Sequence, residues 1–251
     1  MVFLILGIVL VVVSVTLLVV SVAAGRSSRE SIAHVTTLVA KLLSTRPNTR
    51  KSMGAFEHLH YPAFPRLKNV EGYRYQVEGI GNICDLRGTS NMVFYDTVLC
   101  VTPEAGKAAP ALLIHTAYPP YKRTLQVELL PIYGHTFGEA AQNKLEAICQ
   151  RHAATVTTAA QNVLRTEKTV HFKEDAALFK LAEAIFMWYV AQVDQAGETG
   201  DLAADLEAAK IFISIYAKEG DATAAFLRKP LGKRAEEFYS TRFFGTERPK
   251  S

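Results

Sequence analysis

The first 24 residues contain no charged side chain, and this apolar run is the strongest pattern in the sequence. As a helix, a run of that length would span about 36 Å, slightly more than the ~30 Å hydrocarbon core of a bilayer. Residues 1–25 are therefore predicted to be a single-pass transmembrane anchor in contact with the lipid bilayer. Arg26 and Arg29 begin a basic flank. Positive charge tends to stay inside, so the rest of the chain is expected on the cytoplasmic or equivalent face of a membrane whose organelle the sequence does not specify.

A cleaved signal peptide is the alternative for the same run. Small residues at Ser21, Ala23 and Ala24 suit a signal peptidase. However, the run has no basic residue before it and is longer than the usual apolar region of a signal peptide. A retained signal-anchor is favoured, and cleavage stays open.

The next region, residues 26–70, is predicted to be a juxtamembrane helix followed by an irregular connection. Apolar residues from Ile32 to Leu43 recur at three- and four-residue spacings, which is typical of one buried helix face. Pro47 would end this helix. Pro62 and Pro65 then favour an irregular path.

Residues 71–134 carry the pattern of an antiparallel β-meander of about five strands. Tyr73, Tyr75 and Val77 alternate with polar residues, as in a half-buried strand. The segment from 92 to 102 is apolar on both faces, which indicates a central strand. The connections are too short for crossover helices, so antiparallel pairing is expected.

The pattern becomes helical from residue 135 to 251. Apolar residues from Phe137 to Val163 trace one face of a predicted helix of about seven turns, preceded by a capping box at Thr136 and Glu139. Further helices are predicted over residues 174–195, 201–218, 221–229 and 233–243. The expected fold class is α+β: an N-terminal single transmembrane helix, a small antiparallel meander and an α-helical C-terminal half.

Composition and charge narrow the function classes. The chain has 28 Lys and Arg against 24 Asp and Glu, and 49% hydrophobic residues, which excludes intrinsic disorder. The basic residues cluster at the two ends and leave the middle acidic, so no nucleic-acid partner is expected. The three cysteines are an odd number without clustered spacing, which favours a reducing compartment.

No catalytic motif is present, so no catalytic residue is assigned and enzymatic activity stays undecided. His58 and His60 have a spacing that metal sites use, but no third ligand lies near them in sequence. Neither a metal nor a cofactor is therefore predicted. A membrane-bound hydrolase or transferase remains an alternative, and it would use Cys84, His115 or His135 with an acid from the sheet.

The leading functional prediction is a membrane-anchored, non-enzymatic interaction module, either an accessory subunit or an adaptor of a membrane protein complex. Its possible interface with a protein partner is the aromatic and basic C-terminal set, which has the composition of an interface anchor: Phe238, Tyr239, Arg242, Phe243 and Phe244. A lipid- or small-ligand-binding domain is a further alternative, and it predicts a large apolar cavity between sheet and helices.

Overall fold

The structure is a computed structural model that describes residues 2–63, 66–90, 95–118, 122–159, 163–171, 174–219 and 231–246. The described residues form a nine-stranded sheet in which every pairing is antiparallel. Its spatial order is β1-β3-β4-β5-β6-β7-β9-β8, and β2 also pairs with β3. The strands are β1 Asn48–Lys51, β2 His58–Ala63, β3 Arg66–Val77, β4 Gly81–Ser90, β5 Tyr95–Pro103, β6 Ala111–Tyr118, β7 Lys122–Leu130, β8 Thr155–Thr158 and β9 Leu164–His171.

Helices cover both faces of this sheet. The longer ones are α1 Val2–Thr45, α2 Glu139–Arg151, α3 Asp175–Gln195 and α4 Leu202–Glu219. A 3-10 turn lies at Gly54–Phe56. Residues 231–246, called the C-terminal segment below, contain a 3-10 turn, a four-residue helix and a π-helical turn at Gly232–Arg234, Ala235–Phe238 and Tyr239–Phe243.

The alternation of side chains along the strands creates two separate hydrophobic cores. In β5, Leu99 and Val101 belong to the core shared with α1, α2 and α3. Val98 and Cys100, from the same strand, belong to the core shared with α4 and the C-terminal segment. Successive side chains of a strand point to opposite faces, so a strand that is apolar throughout must be covered on both sides.

Helix α1 is continuous and enters the first core with its C-terminal part. Val35, Leu38, Val39 and Leu42 are 3–6% exposed. The helix packs on α3. His34 stacks on Phe179 with ring centroids 4.6 Å apart, and Nη2 of Arg46 lies 2.6 Å from Oδ2 of Asp194, so the two helices run parallel. Its burial against the domain leaves no flexible connection between the apolar N-terminal run and the folded part of the chain.

The predicted fold class is wrong. The sheet has nine strands instead of about five, and the C-terminal half contributes β8 and β9 to it. The architecture is a mixed α/β fold with one large antiparallel sheet. The sequence pattern predicts the sheet only where its strands follow one another directly along the chain. The pairing of β9 with β7 is not predicted, because a helix separates these two strands in the sequence.

The predicted seven-turn helix ends after Arg151. His152 closes it, and Ala153 has a φ of 50°, a left-handed conformation that an α-helix does not contain. Thr155–Thr158 then forms β8 against β9. All four residues of that run (three threonines and Val156) are β-branched and favour an extended backbone, and sheet pairing outweighs the apolar helical periodicity.

The prediction that the apolar spanning helix is N-terminal is not supported by the described residues. Among them, α3 is the helix with the length and mean hydropathy needed to cross a membrane, and half of its apolar window is buried inside the molecule. Leu181, Ile185 and Tyr189 of α3 are 0% exposed. Burial of this kind is typical of a core helix, so α3 is weak evidence for a membrane span.

Candidate ligand-binding site

The C-terminal segment covers one face of the sheet with a cluster of aromatic rings. Phe238, Tyr239, Phe243 and Phe244 are each 0% exposed. Tyr239 and Phe244 contact Tyr216 of α4 edge to face, with ring centroids 5.4 and 5.5 Å apart. This packing holds the segment against α4 and the sheet.

The residues predicted as a protein interface are therefore placed inside the molecule. Only Arg242 among them is partly exposed. A protein interface at these residues stays a prediction, and it would require the segment to leave its own core. The side chains of Arg26 and Arg29, the predicted membrane flank, lie outside the described residues.

A cavity of about 900 Å³ lies between the sheet, the start of α4 and the end of the C-terminal segment. Its polar lining includes Lys51, Arg74, Asn82 and Glu104. Its apolar lining includes Leu206 of α4 and Phe244. Two cations, one anion and apolar walls can accommodate an apolar molecule that carries negative charge.

Asn82 fastens the C-terminal segment to the sheet at the edge of this cavity. Its Oδ1 accepts a hydrogen bond from Nε of Arg74 at 2.6 Å, and its Nδ2 donates to the carbonyl of Phe243 at 2.9 Å. Gly245 lies directly on this pair, since a Cβ added there would be 2.5 Å from Cγ of Asn82. Its φ of 67° also favours glycine.

Asp205 fixes the other side of the cavity by holding the first turns of α4. One carboxylate oxygen accepts from Oγ1 of Thr199 at 2.6 Å and from the Gly106 backbone N–H at 3.2 Å. The other lies 2.9 Å from Nε2 of His135. Burial raises the pKa of Asp205, but the hydrogen bonds from Thr199 and His135 outweigh burial, so its pKa is lowered from the usual value.

A second cluster of polar side chains lies on the face of the sheet that also lines the cavity, on strands β5 to β9. Oδ1 of Asp96 is 3.9 Å from Nε2 of His115. Glu128, which is 1% exposed, accepts from Nε2 of Gln126 at 3.0 Å and from Nε of Arg165 at 2.7 Å. An imidazole beside a carboxylate can hold or transfer a proton, so this row is the described part of the sheet best equipped for acid–base chemistry.

The structure does not bring the predicted Cys84, His115 and His135 into one group. His115 lies beside Asp96 on the sheet, whereas His135 follows β7 and contacts Asp205. Cys84 is opposite Cys100 in neighbouring strands, and both are 0% exposed. Burial raises the pKa of Cys84 well above that of a free thiol and the pKa of Cys100 to about 12, so neither is an activated nucleophile.

Within the described ranges, no group of three His, Cys, Asp or Glu side chains could hold a metal ion. His58 and His60 lie on β2 at the margin of the sheet. Nδ1 of His60 is 2.8 Å from Oδ1 of Asn69, and both side chains are exposed. Their placement on a strand edge agrees with ordinary solvated polar residues.

Sequence reasoning missed Arg74, Asn82 and Asp205. Arg74 occupies the polar phase of the alternating pattern in β3, which normally indicates a solvent-facing side chain. In the structure it is 9% exposed because the C-terminal segment covers that face. No local sequence pattern predicts that the C-terminal segment covers this face, because the residues in contact are far apart in the chain. Asn82 and Phe243, which are hydrogen-bonded there, are more than 160 residues apart.

No family model matches the chain, and no curated protein sequence matches it. Solved structures do match. One is the crystal structure of selenomethionine-labelled phytochromobilin synthase from tomato in complex with biliverdin, with a TM-score of 0.64. It is 9% identical, and the match covers 84% of this chain and 82% of the tomato chain. At this identity the similarity shows the fold alone.

Proposed function

We propose that this chain is a membrane-held domain that binds an extended organic anion of the open-chain tetrapyrrole class. The observation that carries the proposal is the cavity of about 900 Å³ between the sheet and the C-terminal segment. Small-molecule sites usually have volumes of roughly 300–1,000 Å³, lined by apolar groups and a few polar ones. The cavity has that size and that mixed lining.

The lining supports an anion with a large apolar body. Lys51 and Arg74 lie on one side, and a guanidinium suits the planar geometry of a carboxylate. Leu206 and Phe244 provide apolar surface for the rest of the molecule. Biliverdin has this character, with four linked pyrrole rings and two carboxylates, and the tomato protein of similar fold was crystallised with it.

Filling the cavity tests the proposal directly. Leu206→Trp adds a large ring to the cavity wall, whereas Ile211→Trp adds the same ring to an outer position of the same helix, where Ile211 is 57% exposed. In an absorbance titration with biliverdin, the first variant should bind at least about tenfold more weakly than the wild type, and the second should bind as the wild type does. Equal affinities for all three proteins would refute binding in this cavity.

Attachment to a lipid bilayer through residues 1–25 is the second part of the proposal, with the domain on the cytoplasmic or equivalent face. The support is that the described apolar side chains of this run have no cover within the molecule: Val9, Leu10, Val11, Val12, Val13, Val15 and Val19 are 51–63% exposed. A set of this size on one segment is typical of contact with a membrane or a partner. The continuous helix would then connect bilayer and domain rigidly.

Charges placed in this run test the attachment. A carboxylate at the centre of a bilayer costs about 2.5–3.5 kcal/mol on insertion scales, so Val12→Asp combined with Val15→Asp should abolish flotation with liposomes. Ala40→Asp, at an exposed position of the same helix beside the domain, should still float. A double variant that floats like the wild type would contradict attachment through residues 1–25.

The interaction module and the hydrolase or transferase remain predictions. The rings on which the interface prediction depends lie inside the domain, so an adaptor would need another surface. The raised thiol pKa argues against Cys84 as a nucleophile, which leaves His115 and Asp96 as the pair that an enzymatic function would use.

A further inference from the structure

Two cysteines lie directly opposite each other on neighbouring strands of the sheet. Cys84 of β4 and Cys100 of β5 are Cα partners in the antiparallel register, and both thiols are free. Both side chains belong to the core shared with α4 and the C-terminal segment. The two thiols are therefore neighbours on one face of the sheet.

This register places the pair within reach of a disulfide. Opposite residues of antiparallel strands have Cα atoms about 4.5 or 5.5 Å apart, and disulfides span Cα separations of about 4.4–6.8 Å. A bridge between Cys84 and Cys100 therefore requires rotation of two side chains and no change of register. Cys149 packs in the core on the other side of the sheet, where its Sγ lies 3.4 Å from Oγ1 of Thr166, so it is out of reach of the pair.

The pair lies beside the residues that line the cavity. Arg74 of β3 is opposite Cys84 on the other side of β4, and Asn82 precedes Cys84 by one position on the same face. Asn82 is in turn opposite Thr102, whose Oγ1 is 3.7 Å from Sγ of Cys100. The thiols thus form one cross-strand row, and the adjacent row contains the side chain that fastens the C-terminal segment to the sheet.

The C-terminal segment lies over this part of the sheet. Its π-helical turn, Tyr239–Phe243, contacts β4, and Asn82 donates to the carbonyl of Phe243 at 2.9 Å. The aromatic rings of the segment share a core with Cys84 and Cys100, each of which is 0% exposed. Water and any dissolved oxidant therefore reach the two thiols after the cover on this face has opened.

While they are covered, the thiols are unreactive. Burial raises the pKa of Cys100 to about 12 and the pKa of Cys84 well above its usual value, so hardly any thiolate is present at neutral pH. Cys100 and Asp85 also raise the pKa of Cys84, whereas the charge of Arg74 lowers it, and the hydrogen bond with Thr102 lowers the pKa of Cys100. Opening of the cover removes the largest cause, burial, while Arg74 and Thr102 stay with the sheet.

We propose that Cys84 and Cys100 are a site of reversible oxidation, at which a hydroperoxide forms a disulfide between β4 and β5 when the C-terminal segment opens. The segment controls the reaction, because its position decides whether the oxidant reaches the pair. The site depends neither on the proposed ligand nor on the proposed membrane attachment.

The reaction balances with the hydroperoxide as its oxidant. One thiolate attacks a peroxide oxygen, the O–O bond breaks, and the sulfur becomes a sulfenic acid while hydroxide or an alkoxide leaves and takes up the thiol proton. The second thiol attacks the sulfenic sulfur, the S–S bond forms, the S–O bond breaks and water leaves. The two sulfurs lose two electrons in total, which the peroxide accepts. A thiol of the glutathione type reverses the bridge by exchange.

Peptide mapping of the full chain in mild detergent tests this site. Trypsin cleavage after Arg87 separates the peptide that contains Cys84 from the peptide that contains Cys100, and the disulfide joins them. Samples are treated with hydrogen peroxide, stopped with catalase at successive times, alkylated with N-ethylmaleimide in denaturant and digested without reductant. The amount of joined peptides that dithiothreitol separates again measures the rate of bridge formation.

A variant of the attachment tests whether the segment controls the rate. Asn82→Ala removes the hydrogen bond to Phe243, so the joined peptides should form at least about tenfold faster than in the wild type, because the open population increases. Asn69→Ala changes an exposed asparagine of β3 and should react at the wild-type rate. Equal rates for Asn82→Ala and the wild type would overturn control by the segment.

Cys149 distinguishes opening of the segment from unfolding of the whole domain. It is 1% exposed in the opposite core, so its alkylation without denaturant should stay as slow in Asn82→Ala as in the wild type. If Asn82→Ala exposes Cys149, the test uses Gly245→Ala, in which the added Cβ would lie 2.5 Å from Cγ of Asn82 and displace the segment.

Two further outcomes would overturn the proposal. One is the absence of joined peptides in a variant that reacts with peroxide while its Cys149 stays protected, since the two thiols would then be exposed without pairing. The other is faster bridge formation that accompanies exposure of Cys149 in both variants, since the pair would then open with the whole domain and not with the segment.

Discussion

Replacing Asn82 by alanine should detach the C-terminal segment from the sheet, since Asn82 is the side chain that joins them at the cavity. The residue is 4% exposed and makes two hydrogen bonds, one to Arg74 and one to the carbonyl of Phe243. Alanine keeps the strand backbone but removes both. The Phe243 carbonyl would then lie at a covered position without this donor, and Arg74 would lose one of its acceptors.

The expected loss follows from these two contacts. Leaving a buried carbonyl without its donor costs about 1–3 kcal/mol, and a hydrogen bond to a charged group contributes about 1.5–3 kcal/mol. Arg74 has other partners, so the free energy of unfolding should fall by about 2–4 kcal/mol rather than by the full sum. For a chain of this size the melting temperature should drop by about 4–16 °C.

Thermal unfolding followed by near-ultraviolet circular dichroism in mild detergent measures this loss. Asn69→Ala is the matched control, because Asn69 is an exposed asparagine on β3 whose hydrogen bond to His60 is also exposed. Its effect should stay within about 0.5 kcal/mol. If Asn82→Ala and Asn69→Ala melt within about 2 °C of each other, Asn82 does not hold the segment and the reasoning fails.

Three further results are expected. Gly245→Ala should destabilise the protein by about 1–3 kcal/mol more than Gly134→Ala in the same melting assay. Both glycines have a positive φ, but only a Cβ at position 245 would collide with a neighbour, 2.5 Å from Cγ of Asn82. Equal losses of stability in the two variants would contradict that packing. The folded-state pKa of Asp205 is lowered, so its contribution to stability is present above the unfolded-state pKa of about 3.9 and is lost as the pH falls through the folded value. Asp205→Asn should accordingly lower the urea midpoint more at pH 7 than at pH 3, and an equal loss at both pH values would show that the carboxylate charge is not what stabilises the fold. Burial raises the pKa of Cys100 to about 12, so Ellman's reagent at pH 8 should modify this thiol only after unfolding; rapid reaction of the native protein would disprove its burial.

The Asn82→Ala and Gly245→Ala variants both test how the C-terminal segment is held against the sheet. The C-terminal segment is both a wall of the cavity and a part of the second core, through Phe243 and Phe244. A substitution that loosens it should therefore change stability and ligand affinity together. Leu206→Trp, in contrast, should change affinity with little effect on melting, because Leu206 is only half-buried.

The sequence predicted well those elements whose information is local. The helix over residues 174–195 is observed as Asp175–Gln195, and the one over 201–218 as Leu202–Glu219. The central position of the strand around Val98 to Val101 also agrees with the structure, since its two faces belong to two cores. In each case the side chains that decide the structure are neighbours along the chain.

The sequence failed where a distant partner decides the structure. Thr155–Thr158 lies within a helical apolar pattern but pairs with β9, so the register of the sheet overrides it. The aromatic rings from Phe238 to Phe244 pack against α4 and the sheet, a contact that composition alone did not specify, and their role as an interface with a protein partner stays a prediction. An apolar ring is favoured wherever water is excluded, and composition does not specify which surface excludes it.

The sequence by itself determined the uncharged N-terminal run, the amphipathic helices and the two-sided central strands, because periodicity and charge are properties of consecutive residues. Only the tertiary structure decided that α1 is parallel to α3, that Arg74 and Asn82 are covered, and that a cavity lies beside them. These features depend on contacts between residues far apart in the chain, as between Asn82 and Phe243. Their free energy comes from excluding water between surfaces that meet only after the chain has folded.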